Sequence, residues 1–371
     1  MKRILLASTA IVGFAGAAAA DGHAADGISF SGDASLEWNS ETDFDWGADI
    51  NINMTSTLDN GLTVAVDWEI DFTDDNLGND LSASDFVLSL TSDTAGLYFG
   101  DTGMAADGKW SAVGDMEADD FSATDGETVL RGEMSFGDVD AAVSYIVDDT
   151  ILVADDPLTP GVNEEVRDEN TGLEQLSIGV AADLGSVSVT FGYQEEGPAA
   201  IAGQGDDYDA DEVVAISAST TFGGADVSFG YASNQTESED SLGFEVSYPV
   251  SDAVTVGFYY VAESAGDDNA GVSLDYTAGP LSASVYYRQE QEDDDYGVDV
   301  DYDLGNGVAL FAGFAGGDGS DDGYYLGGAM DLGNGAEVRL IYVDVDEING
   351  DNEYFGDDDE EGTTLSLSFS F

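Results

Sequence analysis

Carboxylates are the one kind of reactive side chain this chain holds in quantity. Its 371 residues carry 78 Asp and Glu against 7 Lys and Arg, with one His and no Cys, for a net charge of −71. Acids at that density can act in pairs as general acid and base, ligate hard cations, or select passing ions electrostatically. Catalysis finds no foothold. His23 lies near the N-terminus outside any repeating pattern, and with so many acids a paired-carboxylate site would arise by chance. The runs DDDYGVDVDYD, DGSDDG and GDDDEEG could hold Ca²⁺ or Mg²⁺, yet none has EF-hand spacing with its closing Glu, and solvated acid is the plainer reading. No other cofactor is indicated. Ion selection fits the placement best, because Asp33, Glu37, Asp49, Asp67, Glu69, Asp71, Glu133, Asp299, Asp301 and Asp303 fall in alternating registers.

The elements that would carry those acids are extended strands. In FDWGADININM, Phe44, Trp46, Ala48, Ile50, Ile52 and Met54 alternate with Asp45, Gly47, Asp49, Asn51 and Asn53. After the turn Asp59-Asn60-Gly61, Leu62, Val64, Val66, Trp68, Ile70 and Phe72 alternate with a polar set that includes Asp67, Glu69 and Asp71. A period of two puts each set on its own face of a strand. The unit recurs down the chain with short Gly- or Pro-containing turns at one end and long acidic connections at the other. An opening strand near Ile28 to Trp38, nine hairpins and a closing strand give a count of 20 strands. The even count places both chain ends at the short-turn rim.

Residues 1–20, MKRILLASTAIVGFAGAAAA, read as a cleaved export signal: Lys2 and Arg3, an apolar stretch from Ile4 to Phe14, and Ala18-Ala19-Ala20. The remainder, 21–371, reads as a single domain. With 43% hydrophobic and 11% aromatic residues it is not a disordered acidic chain, and its charge excludes a phosphate backbone as partner. The end, TTLSLSFSF, is itself a two-faced strand stopping on Phe371.

A soluble sandwich also alternates, but it buries its apolar faces against each other. Here the polar face demands water, so a sheet closed into a cylinder, apolar outside and wet inside, accommodates both faces and leaves no open edge in lipid. The expected fold is all-β, a transmembrane antiparallel up-and-down barrel, with Trp38, Phe72, Tyr193, Phe222, Tyr231 and Tyr248 at the interfaces. The rival is a secreted soluble acidic β-protein, such as a Ca²⁺-dependent adhesin or surface-layer component. It accounts for acidity and export, not for the closing strand.

The signal segment, the start ISFSGDASLEW, the hairpin TSTLDNGLTVAVDWE, the passage GLYFGDTG, the repeated YDLGNG turns and the terminal Phe371 together resemble the general diffusion porins of Gram-negative bacteria, most closely the alphaproteobacterial type. The resemblance implies an outer-membrane homotrimer that passes ions and small solutes, each pore narrowed by an inward third loop. It also implies that Phe371 is read by the outer-membrane assembly machinery. Carried over, the loop is residues 101–127, and Asp107, Asp115, Glu117, Asp119, Asp120 and Asp125 line the constriction. Two departures stand out. The family usually has 16 strands, so either this barrel is wider or hairpins have been split, with 16–18 as the alternative count. The wall that in the family is basic offers here Asp49, Asp67, Glu69 and Asp71.

Arg131, next to Glu133 in the polar register just past the loop, is expected to pair with loop carboxylates or else to stand solvated, and Lys109 within the loop is equally ambiguous. A narrow acidic lumen concentrates cations and repels anions, so the pore is expected to be cation-selective.

Overall fold

The computed structural model describes residues 27–74, 79–82, 86–123, 127–147, 150–153, 164–167, 172–198, 208–291, 293–317, 322–345 and 361–371, with backbone alone at 73–74, 79–82, 150–153 and 164–167. His23, Asp125 and the export segment lie outside these residues.

One sheet of 22 hydrogen-bonded runs forms the wall. Gly27–Ser31 and Asp33–Asn39 keep a single register against Asp43–Thr57 on either side of Gly32, so they are one strand. Asn79–Ser82 and Phe86–Thr91 both pair with Thr63–Asp74, in registers one residue apart, and occupy one strand position in the wall. Among the described residues the result is a closed antiparallel barrel of 20 strands, the count the alternation predicts. Closure comes from Asp33–Asn39, which pairs with Asp43–Thr57 on one side and with the final strand Gly362–Ser370 on the other. A separate short ladder joins Thr150–Val153 to Glu164–Arg167 within a long connection.

Turn chemistry sets the hairpins. In the two LGNG turns, Asn306-Gly307 and Asn334-Gly335 all have positive φ, the geometry that two-residue turns between twisted strands require and that Asn and Gly tolerate. Asp303 and Asp331 accept the backbone N–H of Gly305 and Gly333 at 2.6 and 2.7 Å, fixing the bulge that precedes each turn.

The apolar face points outward. Phe44, Phe136 and Phe222 are 72%, 80% and 79% exposed, and Ile28, Leu36, Leu242, Leu326, Leu340 and Leu365 stand in the same exposed outer set. No compact soluble core does this. A contiguous apolar belt around a closed sheet is the surface that hydrocarbon covers.

The run Asp293 to Asp303, one of the acidic runs considered for Ca²⁺ or Mg²⁺, lies in the strand Asp293–Gly305. Pairing puts Asp295, Asp299 and Asp301 on the inner face opposite Arg288, Ser284 and Ser282, while Asp294 lies in the other register. Alternation therefore splits the acids between two faces, and among the described residues no group of acids gathers to hold a metal ion.

Candidate functional site

The inward face of the barrel is built from alternate residues of every strand, and its main feature is the loop of residues 101–128. That loop leaves the strand Ala95–Gly100, folds into the lumen and returns to the strand Val129–Phe136. Having no ladder of its own, it must place its backbone N–H groups elsewhere. Inward side chains of the wall take them. Ala105 N donates to Ser144 Oγ at 2.9 Å, Ala106 N to Ser177 Oγ at 2.8 Å, Ala118 N to Ser241 Oγ at 3.0 Å and Ser122 N to Gln194 Oε1 at 2.8 Å. Farther round, Asn269 Nδ2 donates to the Asp115 carbonyl at 2.9 Å and to Glu117 Oε1 at 2.7 Å. The contacts run from the strand Val139–Ile146 to the strand Asn269–Ala278, so the loop lies along the wall across a series of neighbouring strands.

Apolar packing supplements the hydrogen bonds. Ala106, Val113, Met116, Ala118 and Phe121 of the loop bury themselves against Val213, Ala215, Ala232 and Val261 of the wall, with Trp110 and Tyr259 alongside. Each large side chain removed from lumen water in this way contributes about 1.5–3 kcal/mol. The wall makes room with glycine. A Cβ on Gly192 would come within 2.6 Å of the Phe121 ring, and one on Gly230 within 2.8 Å of Val113 Cγ2. A Cβ on Gly179 or Gly243 would collide with the backbone carbonyls of Ala105 or Val113. Gly179 and Gly192 are register partners, as are Gly230 and Gly243. Together they form a shallow berth for the loop.

The expected residues divide into groups. Lys109 and Glu133 line one recess of about 150 Å³ that also includes Tyr98 and Asp140. Tyr98 donates to Glu133 Oε1 at 2.6 Å, and the Arg131 guanidinium stacks 4.9 Å over the Tyr98 ring. Arg131 does hold the loop, but through the backbone: Nη1 donates to the Gly103 carbonyl at 2.8 Å rather than to a loop carboxylate. The physical reason is local. Gly103 comes three residues after the strand Ala95–Gly100, which pairs with the strand of Arg131, so its carbonyl is within reach of the guanidinium.

Asp115 and Glu117 gather with Glu263, Asn269 and Glu290 at the far end of the loop, where Glu117 N donates to Glu263 Oε1 at 3.3 Å. Arg288 Nη1 lies 2.8 Å from Glu290 Oε1, a single cation among several acids. Asp119 is different. Its Oδ2 accepts the Trp110 indole N–H at 2.8 Å, and burial pushes its carboxyl up to about 7; the indole opposes the shift, while Asp120 and Asp115 add to it. Asp120 is also raised, by desolvation and then by Asp209. Asp107, Asp120 and Glu117 remain exposed to lumen water.

Asp49, Asp67, Glu69 and Asp71 lie elsewhere, on the hairpin Asp43–Thr57 and Thr63–Asp74. There Asp49 pairs with Asp71, Asn51 with Glu69 and Asn53 with Asp67. Asn53 Nδ2 donates to Asp67, and Asn51 Nδ2 to Asp49 Oδ1 at 3.0 Å. This hairpin presents carboxylates and amides to the lumen and no cation.

The glycine berth and the Ser, Gln and Asn hooks escaped sequence reasoning. Their trace was present as inward Gly flanked by outward aromatics, in Phe191-Gly192-Tyr193 and Phe229-Gly230-Tyr231, and as apolar Val213 and Val261 at inward positions.

A closed sheet with a lipid-facing exterior, a wet acidic interior and a loop folded inside defines a membrane-spanning diffusion channel. Residues 7–315 match the family model described as Gram-negative porin, and the chain belongs to that family. It is therefore an outer-membrane β-barrel channel and not an enzyme, and the soluble adhesin-like reading falls. Solved structures similar to it include two multiply substituted variants of the Rhodopseudomonas blastica porin. One has 13% identity and a TM-score of 0.44, the other 14% and 0.44, each comparison covering 93% of this chain and 100% of the other. Among curated proteins, none matches the sequence.

Proposed function

We propose that the channel is a cation-selective pore for passive diffusion of ions and small hydrophilic solutes, with Asp107, Glu117 and Asp120 of the loop facing an acidic wall that includes Asp49 and Asp71. One observation carries this reading. Of the described basic side chains, Arg131, Arg288 and Arg339 are each engaged, by Gly103, by Glu290 and by the Phe311 ring at 5.2 Å, and Lys109 lies in a recess with Glu133 and Asp140, while loop and wall both present carboxylates. Acids on both sides of a lumen add their potentials instead of opposing them, so cations are enriched throughout and no transverse field arises.

The same reading includes a homotrimer, export by residues 1–20 and recognition of Phe371 by the assembly machinery; these rest on the family resemblance and the sequence pattern. The test is reversal potential in planar bilayers across a KCl gradient. Cation preference at low salt should fade as ionic strength rises, because the Debye length shrinks from ~10 Å at 0.1 M to ~3 Å at 1 M. Anion preference at low salt would refute the proposal.

A further inference from the structure

At the long-loop rim the outer face carries a repeated pairing of tyrosine with aspartate. Tyr231 donates to Asp240 at 2.6 Å and Tyr287 to Asp294 at 2.9 Å. Tyr324 and Tyr342 both donate to Asp344, at 3.0 and 2.9 Å. One of these rings, Tyr287, is the register partner of a further tyrosine, Tyr296, on the adjacent strand. With Asp294, Gly317 and Asp322 they line an open recess of about 310 Å³. Tyr287 and Tyr296 are 45% and 41% exposed on the side that meets the bilayer, and the Tyr296 ring also lies 6.1 Å from that of Phe314.

The rim is chemically one-sided. Of the basic residues whose side chains are described, Arg131, Arg288 and Arg339 lie on the inner face and Lys109 on the inward loop. The outer rim thus offers carboxylates and aromatic rings and, among described residues, no ammonium or guanidinium for a phosphate.

We propose that the recess formed by Tyr287, Tyr296, Asp294 and Asp322 binds the ammonium group of an amine-bearing lipid headgroup at the outer rim of the barrel. Ring faces attract a cation through their quadrupole, and the Asp294 carboxylate, held at fixed depth by the Tyr287 hydroxyl that donates to it, neutralises it. Two carboxylates at the edge of an open recess are too few oxygens for Ca²⁺, which takes 6–8, whereas they suit a monovalent cation. The other Tyr–Asp pairs are set one or more strands apart, at ~4.8 Å per strand, and act as separate weaker contacts of the same kind.

The mature chain folded into nanodiscs of mixed phosphatidylethanolamine and phosphatidylglycerol provides the test, with retained lipid counted by native mass spectrometry. About two- to five-fold enrichment of the amine lipid is expected, the size that exposed ring–cation contacts produce. Asp294→Asn with Asp322→Asn should remove most of it. Asp138→Asn with Asp252→Asn, which deletes as much charge at the exposed short turns, should not. Tyr296→Leu keeps apolar bulk on the outer face and should also lose enrichment, so the proposal remains testable if the double Asn variant does not fold. Equal loss in the two double variants would reduce the effect to net charge and overturn the proposal. Loss on chelation, with phosphatidylglycerol retained through a metal bridge, would overturn it too. Reversal potential should be unchanged in these outward-facing variants, which separates this site from the pore.

Discussion

Gly32 and Phe371 exchange two backbone hydrogen bonds, each nitrogen donating to the other's carbonyl oxygen at 3.0 Å. The last residue is thereby locked to the first strand. Its ring lies against Gly32, where an added Cβ would approach Phe371 Cζ to 3.0 Å and meet the Asp49 carbonyl. At the other end of the seam Asn39, 1% exposed, donates to Thr364 Oγ1 at 2.8 Å and to the Glu361 carbonyl at 3.1 Å.

The seam should therefore fail from either end. Asn39→Ala leaves buried partners unsatisfied and is expected to cost about 1–3 kcal/mol, read as a lower temperature of the folded-to-unfolded shift in detergent gels. Gly32→Val should lower it further, because the clash involves backbone.

Filling the berth should expel the loop. Gly243→Val places a side chain where the Val113 carbonyl lies, and Gly179→Leu does the same at Ala105. Both variants are expected to keep the outer barrel, with a larger single-channel conductance and faster entry of bulky solutes in liposome swelling.

Arg131→Ala should loosen the start of the loop alone. A hydrogen bond from a charged donor contributes about 1.5–3 kcal/mol, and losing it together with the stack on Tyr98 is expected to raise open-channel noise without abolishing conduction. Arg131→Lys should restore little, since a point charge cannot reproduce the planar stack.

The loop should also be tighter in mild acid. Asp119 has its carboxyl raised by burial to about 7 against an ordinary 3.8, so the native state binds a proton that the unfolded chain has released between those values. That contribution is present in full below the unfolded value and is lost as pH rises through about 7. Trp110 fluorescence, which reports the partner indole, should shift with a midpoint near neutrality. Asp119→Asn should abolish the shift, and a wild-type profile flat across neutral pH would contradict the assignment.

Much of this molecule was legible in advance. The face of Phe44, Trp46 and Ile50 was readable because a strand's period of two needs no tertiary information, and the seam was readable from the alternation of Leu365, Leu367 and Phe369. The inner placement of Asp49 and Asp71 follows from the same parity. The loop resisted, since it has no period. Ser144 and Ser177 look like ordinary polar wall residues until a backbone from 39 and 71 positions away is laid on them. For Arg131 the sequence offered loop carboxylates or solvent, and the acceptor in the structure is the Gly103 carbonyl, because charge complementarity is visible in sequence and a carbonyl's position is not.

Alternation, turn residues and charge pointed by themselves to a closed two-faced sheet with an acidic interior, counted as 20 strands with 16–18 as the alternative, and the structure has 20. Those properties are set locally, by the pleat of a strand and the φ angles its turns demand. Only the tertiary structure decided where the loop rests, which acids it buries and which stay in water. The reason is that a glycine berth shared by Gly179, Gly192, Gly230 and Gly243 exists only once distant strands stand side by side.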